Sequence, residues 1–324
     1  MSTTRRSFVA AGLGLLAVTP AFGAGDYPVK PVHFIVPFPP GGGTDAFARI
    51  LGVALSKRWG QQVVIDNRAG AQGNIGTLQG VRSAPDGYTL ILAHQGVMTV
   101  NPSIYYSICF DPLRDLVAVS RGTEQPFVLV ANPNVPIQSL KDLTDLARRE
   151  PGKLTFASSA SGPQMAGEMY KMASGTDLLH IKYKGAGPAV VDLLAGQVDL
   201  MVANPVSVAP YVKSGKLRGI VVFSEKRIEQ LPDVPTAVEA GYPQLGKNPE
   251  WYGVTVPAGT PAAIVTRLNA DITSALATDE VRSAVLGLGL TPSPSTPEEF
   301  ARQIKADYEV WSKIAKASGV KGEQ

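Results

Sequence analysis

The sequence predicts an α/β protein of two lobes with a cleft between them, and three observations lead to that prediction. Strand-like and helix-like segments alternate over most of the 324 residues, which is typical of mostly parallel sheets covered by helices. The length suggests two domains, and a composition of 44% hydrophobic and 18% charged residues is that of a globular protein. Since no low-complexity linker separates the two βα series, we expect the chain to cross between the lobes more than once.

The first βα series predicts three strands and two helices, beginning with a strand over residues 32–38. This run is β-branched and aromatic, as buried strands are. Thr44 is in position to cap the following helix, whose apolar residues recur at the i, i+3, i+4, i+7 and i+8 spacing of one helix face. The remaining elements are a strand over 62–65, a helix over 74–84 that stops at the Pro85-Asp86-Gly87 turn, and a strand over 88–93.

A second βα series follows, and helix signals mark several of its boundaries. Ser139 begins a helix with Asp142 three residues later, and the Pro151-Gly152 pair ends it. Pro188 lies at a helix start, where its missing N–H is no loss. The other elements are strands over 127–131, 154–157, 179–183, 198–202 and 220–223, and helices over 163–173 and around 208–213.

The chain changes character after Pro232-Asp233-Val234-Pro235. We expect the helices that follow to return to the first lobe. The elements of this part are a strand over 251–256 and helices over 261–277, 279–286 and 297–317. The resulting domain assignment is residues 24–124 and 224–324 in lobe 1, and residues 125–223 in lobe 2.

The N-terminal residues 1–23 are typical of a cleavable export signal. Arg5 and Arg6 precede an apolar run from Val9 to Val18, and Ala21-Phe22-Gly23 is similar to an A-x-A cleavage site. The run is too short for a membrane helix, which needs about 20 apolar residues. The arginine pair fits the Sec route or the twin-arginine route. We therefore expect cleavage after Gly23 and a periplasmic location.

Charge and cysteine content argue against a nucleic-acid-binding protein and against a disulfide-bonded one. Lys+Arg 30 against Asp+Glu 27 gives a net charge of +3 without a basic block, so nucleic acid is not an expected partner. The one cysteine, Cys109, has no second cysteine for an internal disulfide. Its neighbours Ile108 and Phe110 favour a small core residue over a reactive thiol.

The stretch PFPPGGGTD, residues 37–45, predicts an anion site. A glycine loop between a strand and a helix N-terminus exposes backbone N–H groups to which a ligand can come close. No lysine follows the glycines, so this is not a phosphate-binding P-loop. We prefer a carboxylate as the ligand.

The alternative is a dinucleotide loop in a periplasmic NAD(P)-dependent oxidoreductase. Gly41, Gly43 and Ala46 satisfy G-x-G-x-x-A, and Asp66 ends the next strand. Against this, Phe38-Pro39-Pro40 separates the strand from the first glycine and loosens the turn. Asp66 is better explained as a turn residue paired with Arg68.

Catalytic signals are few, and we expect no enzyme, no cofactor and no metal. His33 and His180 lie in apolar strands and are interpreted as structural, whereas His94 ends a strand beside Gln95 at the expected edge of the cleft. The nucleophile-elbow, zincin and C-x-x-C patterns do not occur. The serines after the 154–157 strand have no suitably spaced base, so hydrogen bonding to a ligand is the better interpretation.

Several motifs in one order resemble the Bug family, the periplasmic substrate receptors associated with tripartite tricarboxylate transporters. The resemblance runs from Tyr27 to the C-terminus. It implies a type II periplasmic-binding-protein fold, with small carboxylates held between the lobes by main-chain amides and ordered waters. The motifs are PFPPGGGTD (37–45), DNRAGAQGNIG (66–76), APDGYTL (84–90), YKGAGPAVVDLLAGQVDLM (183–201), LPDVPTAVEAGYP (231–243) and VPAGTP (256–261).

The predicted ligand-binding residues combine this resemblance with the cleft-edge argument. Lobe 1 supplies Phe38, Pro40, Gly41, Gly42, Gly43, Thr44, Asp45, His94 and Gln95. Lobe 2 supplies Ser158, Ser159, Ala160, Ser161, Gly185, Ala186, Gly187 and Asn204.

Two departures from the family pattern bear on the ligand. The segment from Ala160 to Met165 is shorter than the glycine-containing, histidine-bearing loop common in the family. Asn204 stands where an acidic residue is frequent, which favours a simple carboxylate, a di- or tricarboxylate or an aromatic acid, over an amino acid. The implied partners are the permease subunits of a tripartite tricarboxylate transporter, with a sensor kinase as the alternative. The expected receptor is a monomer.

Overall fold

Two sheets, one in each lobe, form the framework of the protein. The structure is a computed structural model that describes residues 27–321; the expected export signal lies outside these residues. The strands are β1 (Val32–Val36), β2 (Val63–Asn67), β3 (Thr89–His94), β4 (Leu116–Gln125), β5 (Phe127–Ala131), β6 (Thr155–Ser158), β7 (Leu179–Lys182), β8 (Leu200–Ala203), β9 (Arg218–Phe223), β10 (Glu250–Pro257) and β11 (Thr291–Pro292).

Ten α-helices cover these sheets in the described part of the chain. They are α1 (Gly43–Trp59), α2 (Asn74–Val81), α3 (Asn101–Ile104), α4 (Leu140–Arg149), α5 (Ser161–Ser174), α6 (Ala186–Leu194), α7 (Pro205–Lys213), α8 (Ala262–Ala277), α9 (Asp279–Gly287) and α10 (Pro297–Ser318). A π-helix, Gly96–Val100, leads from β3 into α3. A 3₁₀ turn, Ala71–Gly73, precedes α2.

Both sheets are mixed, so the expectation of mostly parallel sheets is wrong. The first has the order β11-β4-β10-β3-β1-β2 and the second β7-β6-β8-β5-β9. Among the described strands four pairings are parallel and five antiparallel. The reason is the path of the chain: β5 and β10 each enter a sheet from the other lobe and run against their neighbours. The parallel βαβ parts are as the alternation predicted.

The chain passes between the sheets twice, from β4 to β5 and from β9 to β10, as expected from the lack of a linker. Helices α8 and α9 pack in the core of the first sheet, for example through Leu268 and Val285. Helix α10 differs. Its Phe300 packs with Trp251 of β10, whereas its Trp311 lies in the cluster that contains the second lobe's Phe156. The C-terminal helix therefore contacts both lobes rather than the first alone.

Local signals at helix starts were partly correct. The Ser139 hydroxyl accepts the backbone N–H of Asp142 at 3.1 Å and caps α4, as predicted. Thr44 does not cap α1, contrary to expectation: the N-cap residue is Gly42, and Thr44 is buried in the first turn. The side chain of the next residue, Asp45, instead accepts the Gly41 N–H at 2.9 Å.

The loop that contains Cys109 also departs from expectation. Cys109 is exposed, with φ of 60° in the left-handed region, so its prediction as a core residue is wrong. Its neighbour Phe110 is buried and Tyr106 is 98% exposed. The loop thus anchors one aromatic ring and leaves another in solvent.

In the part of the chain that the structure describes, no helix is both long and apolar enough to span a membrane.

Gly76 provides a first test of the packing near the glycine-rich loops. A Cβ atom at this position would lie 2.4 Å from the Arg68 carbonyl oxygen and 2.8 Å from the Pro37 Cα, both backbone atoms. Gly76→Ala is therefore expected to lower the free energy of unfolding by about 1–3 kcal/mol in urea titration. The control is Gly287→Ala, because Gly287 is helical with open space around it. Equal effects of the two substitutions would contradict the packing argument.

Candidate ligand-binding cleft

Four helices begin where strands end between the two sheets, and none of the four has a side-chain cap. A helix N-terminus without a cap leaves backbone N–H groups for a ligand, and the helix dipole favours an anion there. By contrast, Ser139, Thr278 and Thr296 cap α4, α9 and α10. Helices α2, α3 and α8 also lack a side-chain cap. The four N-cap residues are Gly42 of α1, Ala160 of α5, Gly185 of α6 and Asn204 of α7.

Asp45 organises the glycine stretch from within. Its side chain is 5% exposed, and its Oδ2 accepts the Gly41 N–H and the Arg49 Nε–H, each at 2.9 Å. Asn67 donates its amide to Asp45 Oδ1 at 3.0 Å and to the Phe38 carbonyl at 3.1 Å. Burial favours a raised pKa for Asp45, but the hydrogen bonds from Arg49, Gly41 and Asn67 hold it below its usual value. This carboxylate is therefore already bonded to the glycine stretch, to α1 and to the end of β2. Asn67 was not identified from sequence.

Gly42 and Gly43 leave space in front of the N-terminus of α1. A Cβ atom at Gly42 would have a single neighbour within 4 Å, the Thr44 Oγ1 at 3.9 Å. A Cβ atom at Gly43 would meet the Tyr252 hydroxyl at 3.6 Å. Pro40, Gly41 and Gly42 are exposed. The helix end is thus open to solvent on the side of Gly42 and flanked by a buried tyrosine at Gly43.

A chain of contacts joins the glycine stretch to the second lobe. The rings of Phe38 and His94 lie 4.8 Å apart, and His94 stacks on Tyr252 at 5.3 Å. His94 Nδ1 accepts the Gly96 N–H at 3.0 Å, so Nε2 carries the proton and points to Glu250 Oε1 at 3.3 Å. Across the lobes, Asn204 donates its amide to Glu250 Oε2 at 2.5 Å.

Glu250 is a buried carboxyl group with donors from both lobes. Strand β10 pairs Glu250 with Gln125 of β4, and the Gln125 amide donates to Glu250 Oε2 at 2.7 Å. The side chain is 2% exposed. Burial raises the pKa of Glu250 to about 7, although the hydrogen bonds from Asn204 and Gln125 oppose the shift. Burial also lowers the pKa of His94 to about 4, so the ring is neutral at pH 7.

Sequence reasoning missed Glu250. A usable signal was a charged residue directly before the apolar run 251–256. The predicted residue Gln95 is also buried and donates its amide to the Pro249 carbonyl at 3.0 Å, which ties the end of β3 to the segment before β10.

On the second lobe, the loop with Ser158, Ser159 and Ser161, here called the serine loop, contacts the first lobe at one point. Ser158 is buried and its Oγ is 2.8 Å from His180 Nε2. Ser161 begins α5, and a Cβ atom at Gly96 would lie 2.6 Å from the Ser161 Oγ. The two lobes are thus in direct contact here. Other predicted residues on this side are half-exposed or exposed: Ser159, Ala160, Gly185, Ala186, Gly187 and Asn204.

A cavity of about 240 Å³ lies beside this contact, between the lobes. Ser161, one of the predicted site residues, lines it; the glycine stretch does not. Sequence reasoning had not selected the remaining lining residues as ligand-binding, although Gln72 lies in the DNRAGAQGNIG motif. They are Gln72, Ile104, Tyr105, Gln164, His180, Lys182 and Lys321.

Asp66, the residue that would bind the ribose of a dinucleotide, is instead paired with neighbouring side chains. Asp66 Oδ2 is 3.1 Å from His33 Nδ1, and its Oδ1 is 3.7 Å from Arg68. The pairing with Arg68 is the one predicted. Among the described residues, no group of three or more histidine, cysteine or acidic side chains could hold a metal ion.

Comparison with known proteins identifies the family. The model of the tripartite tricarboxylate transporter family receptor, TctC, matches residues 47–320. BugT of Bordetella pertussis is 40% identical over 301 residues, which cover 92% of each chain. A Rhodopseudomonas palustris structure with adipate is 33% identical with a TM-score of 0.83, covering 91% of this chain and 99% of that chain. MatC from the same organism, with bound malate, is 30% identical with a TM-score of 0.79, covering 89% and 99%.

These similarities confirm the two-lobed type II periplasmic-binding-protein fold and give no support to the oxidoreductase alternative. Solved relatives include periplasmic binding proteins, which places the family in the periplasm. The chain belongs to the receptor family of tripartite tricarboxylate transporters, whose members are periplasmic solute-binding proteins and not enzymes.

Proposed function

We propose that the protein captures a small organic carboxylate between its lobes and delivers it to the permease subunits of a tripartite tricarboxylate transporter. The proposal is supported above all by four helices that begin at the cleft without a side-chain cap. Their N–H groups are preorganised donors, so little ordering entropy is lost when an anion binds. The structures of relatives with adipate and with malate are consistent with this ligand class.

The site consists of the two sets of residues named from sequence, with different roles. Gly42 and Gly43 present the open end of α1, and Ser161 presents the start of α5. Asp45 shapes the glycine stretch without touching the ligand, because its oxygens are already bonded. His94 supports the site from beneath Phe38.

The lobe assignment is part of the proposal. Residues 24–124 and 224–324 form lobe 1, and residues 125–223 form lobe 2. Support comes from the sheet order, since β4 and β5 are consecutive but belong to different sheets, as do β9 and β10. The two lobes close around the ligand by hinge motion at these crossings.

The ligand is a carboxylate without an amino group. Asn204 carries a neutral amide where an acidic side chain would attract an ammonium group, and its N–H is already used by Glu250. Tight binding of aspartate or glutamate, with simple carboxylates ignored, would contradict this assignment.

A thermal-shift screen tests the function. Protein beginning at Ala24 is refolded once to remove bound ligand, then heated with mono-, di- and tricarboxylates, aromatic acids, acidic amino acids and NAD(P). A ligand at 100 times its Kd adds about 2.7 kcal/mol of stability, which raises the melting temperature measurably. A rise with one class of carboxylate is the expected result. A rise with NAD(P) alone would overturn the proposal.

The export and partner assignments rest on the same proposal. Residues 1–23 carry the chain to the periplasm by the Sec or the twin-arginine route and are removed after Gly23. The receptor acts as a monomer, and the permease subunits bind its closed form. A sensor kinase is the second candidate partner. Uptake of the carboxylate that is lost when the permease genes are deleted would separate the two.

A further inference from the structure

A groove of about 810 Å³ adjoins the cavity between the lobes. The groove runs between the start of α2 and the loop that follows α3. Gln72 and Tyr105 line both the groove and the cavity, so the two spaces share a wall and lie side by side. Gln72 precedes α2 within the glycine-rich DNRAGAQGNIG motif.

The two spaces differ in chemistry. The cavity is lined by polar and cationic side chains, including Ser161, Gln164 and Lys182. The groove is lined by Ile75, Leu78 and Ile108, together with the tyrosine rings of the loop after α3. Ile75 is 56% exposed and Tyr106 is 98% exposed. A contiguous patch of exposed apolar side chains is typical of a ligand-binding groove or an interaction surface.

The backbone is strained at the same place. Three described residues other than glycine have φ in the left-handed region: Ala71 at 46°, Gln72 at 54° and Cys109 at 60°. All three line the groove. Such conformations cost of order 1–3 kcal/mol each and persist mainly at functional sites. Because all three lie at one surface, we infer that the groove is a functional site.

We propose that the ligand is an amphipathic carboxylate, with its carboxylate between the starts of α1 and α5 and an aliphatic or aromatic tail in the groove. The inference rests on the proposed function and specifies the substrate within it. The shared wall of Gln72 and Tyr105 gives a continuous path from head to tail, and the cationic lining of the cavity complements the head. A second carboxylate at the far end would lie against Ile75 and Leu78 without a cation.

Calorimetric titration with acetate, hexanoate, 3-phenylpropanoate and succinate tests the assignment. Each methylene group buried in the groove is expected to raise the affinity up to about fourfold. Hexanoate and 3-phenylpropanoate should therefore bind more tightly than acetate and succinate.

Ile75→Asp places a charge on the groove at an exposed position. It is expected to weaken the binding of hexanoate and of 3-phenylpropanoate at least tenfold, with the binding of acetate unchanged. The matched control is Val53→Asp on α1, at a side chain that is 58% exposed and lines neither space.

The outcomes separate this inference from the function on which it rests. Succinate binding more tightly than the tailed acids, or Ile75→Asp without effect on them, would overturn the amphipathic assignment and leave the receptor function intact. If Ile75→Asp spares binding but abolishes uptake in cells, the groove binds the permease and not a ligand tail. Binding of no carboxylate at all would reject both proposals.

Discussion

Gly42→Trp is expected to abolish carboxylate binding while leaving the fold in place. Gly42 is the N-cap of α1, its φ of −85° is accessible to any residue, and a Cβ atom there meets one neighbour, at 3.9 Å. An indole at this position is accommodated by the backbone but fills the space that faces the free N–H groups of the helix. We expect the affinity to fall at least a hundredfold, or about 2.7 kcal/mol.

The measurement is the ligand-induced rise in melting temperature, compared with the melting temperature of the ligand-free variant. Gly287→Trp is the matched control, because Gly287 also has open space around it but lies in α9, far along the chain from the cleft loops. Loss of the ligand-induced rise in the first variant alone is the expected pattern. Undiminished affinity of Gly42→Trp would reject the assignment of the glycine stretch to the site.

The second large effect concerns the pH dependence of stability at Glu250. Its pKa is raised from 4.5 to about 7 in the folded protein, so the stability that it contributes is fully present below pH 4.5 and is lost as the pH rises through 7. Glu250→Gln does not titrate. The difference in unfolding free energy, wild type minus variant, should therefore fall by about 3 kcal/mol between pH 4.5 and 8.

Urea unfolding of both proteins at several pH values measures this difference. His94 acts in the opposite sense, because its pKa is lowered to about 4 and its contribution is lost as the pH falls below 6.5. Because His94 contacts Glu250, the comparison uses the fall above pH 6.5, where His94 stays neutral in both proteins. Asp307→Asn is the control: burial raises the pKa of Asp307 to about 6, so its difference curve should have the same sign and end about one pH unit lower. A difference that is constant with pH would show that the donors around Glu250 keep it ionised throughout.

The elements predicted well are those whose signals are local. The capping pair Ser139 and Asp142 defined the start of α4, and the apolar runs of β3 and β10 placed those strands to within a residue or two. In such segments propensity, pattern and end signals agree, which is what makes a local prediction succeed.

Strand β4 was not predicted, and the reason is physical. Its sequence, LVAVSRGTEQ, includes a glycine and charged residues that discourage strand assignment. Pairing with β10 on one side and β11 on the other supplies the stability that the sequence lacks, and the Arg121 Nε donates a hydrogen bond to the Ser293 carbonyl at 2.9 Å. These partners are more than 100 residues away, so no window of sequence contains the information.

The same distinction applies to the site. The glycine stretch and the serine loop were visible as motifs, and both lie at uncapped helix starts. The groove was not visible, because Ile75 and Leu78 are unremarkable helix residues until the loop after α3 is placed opposite them. Tyr105 and Tyr106 of that loop both lie at the groove.

Helix α10 has a practical consequence for monitoring this receptor. Trp311 lies in a core shared with the second lobe, whereas Phe300 packs against β10 of the first, so the proposed hinge closure would change the packing around this one helix. The indole of Trp311 is therefore a built-in optical reporter, whose fluorescence should change with occupancy without any added dye.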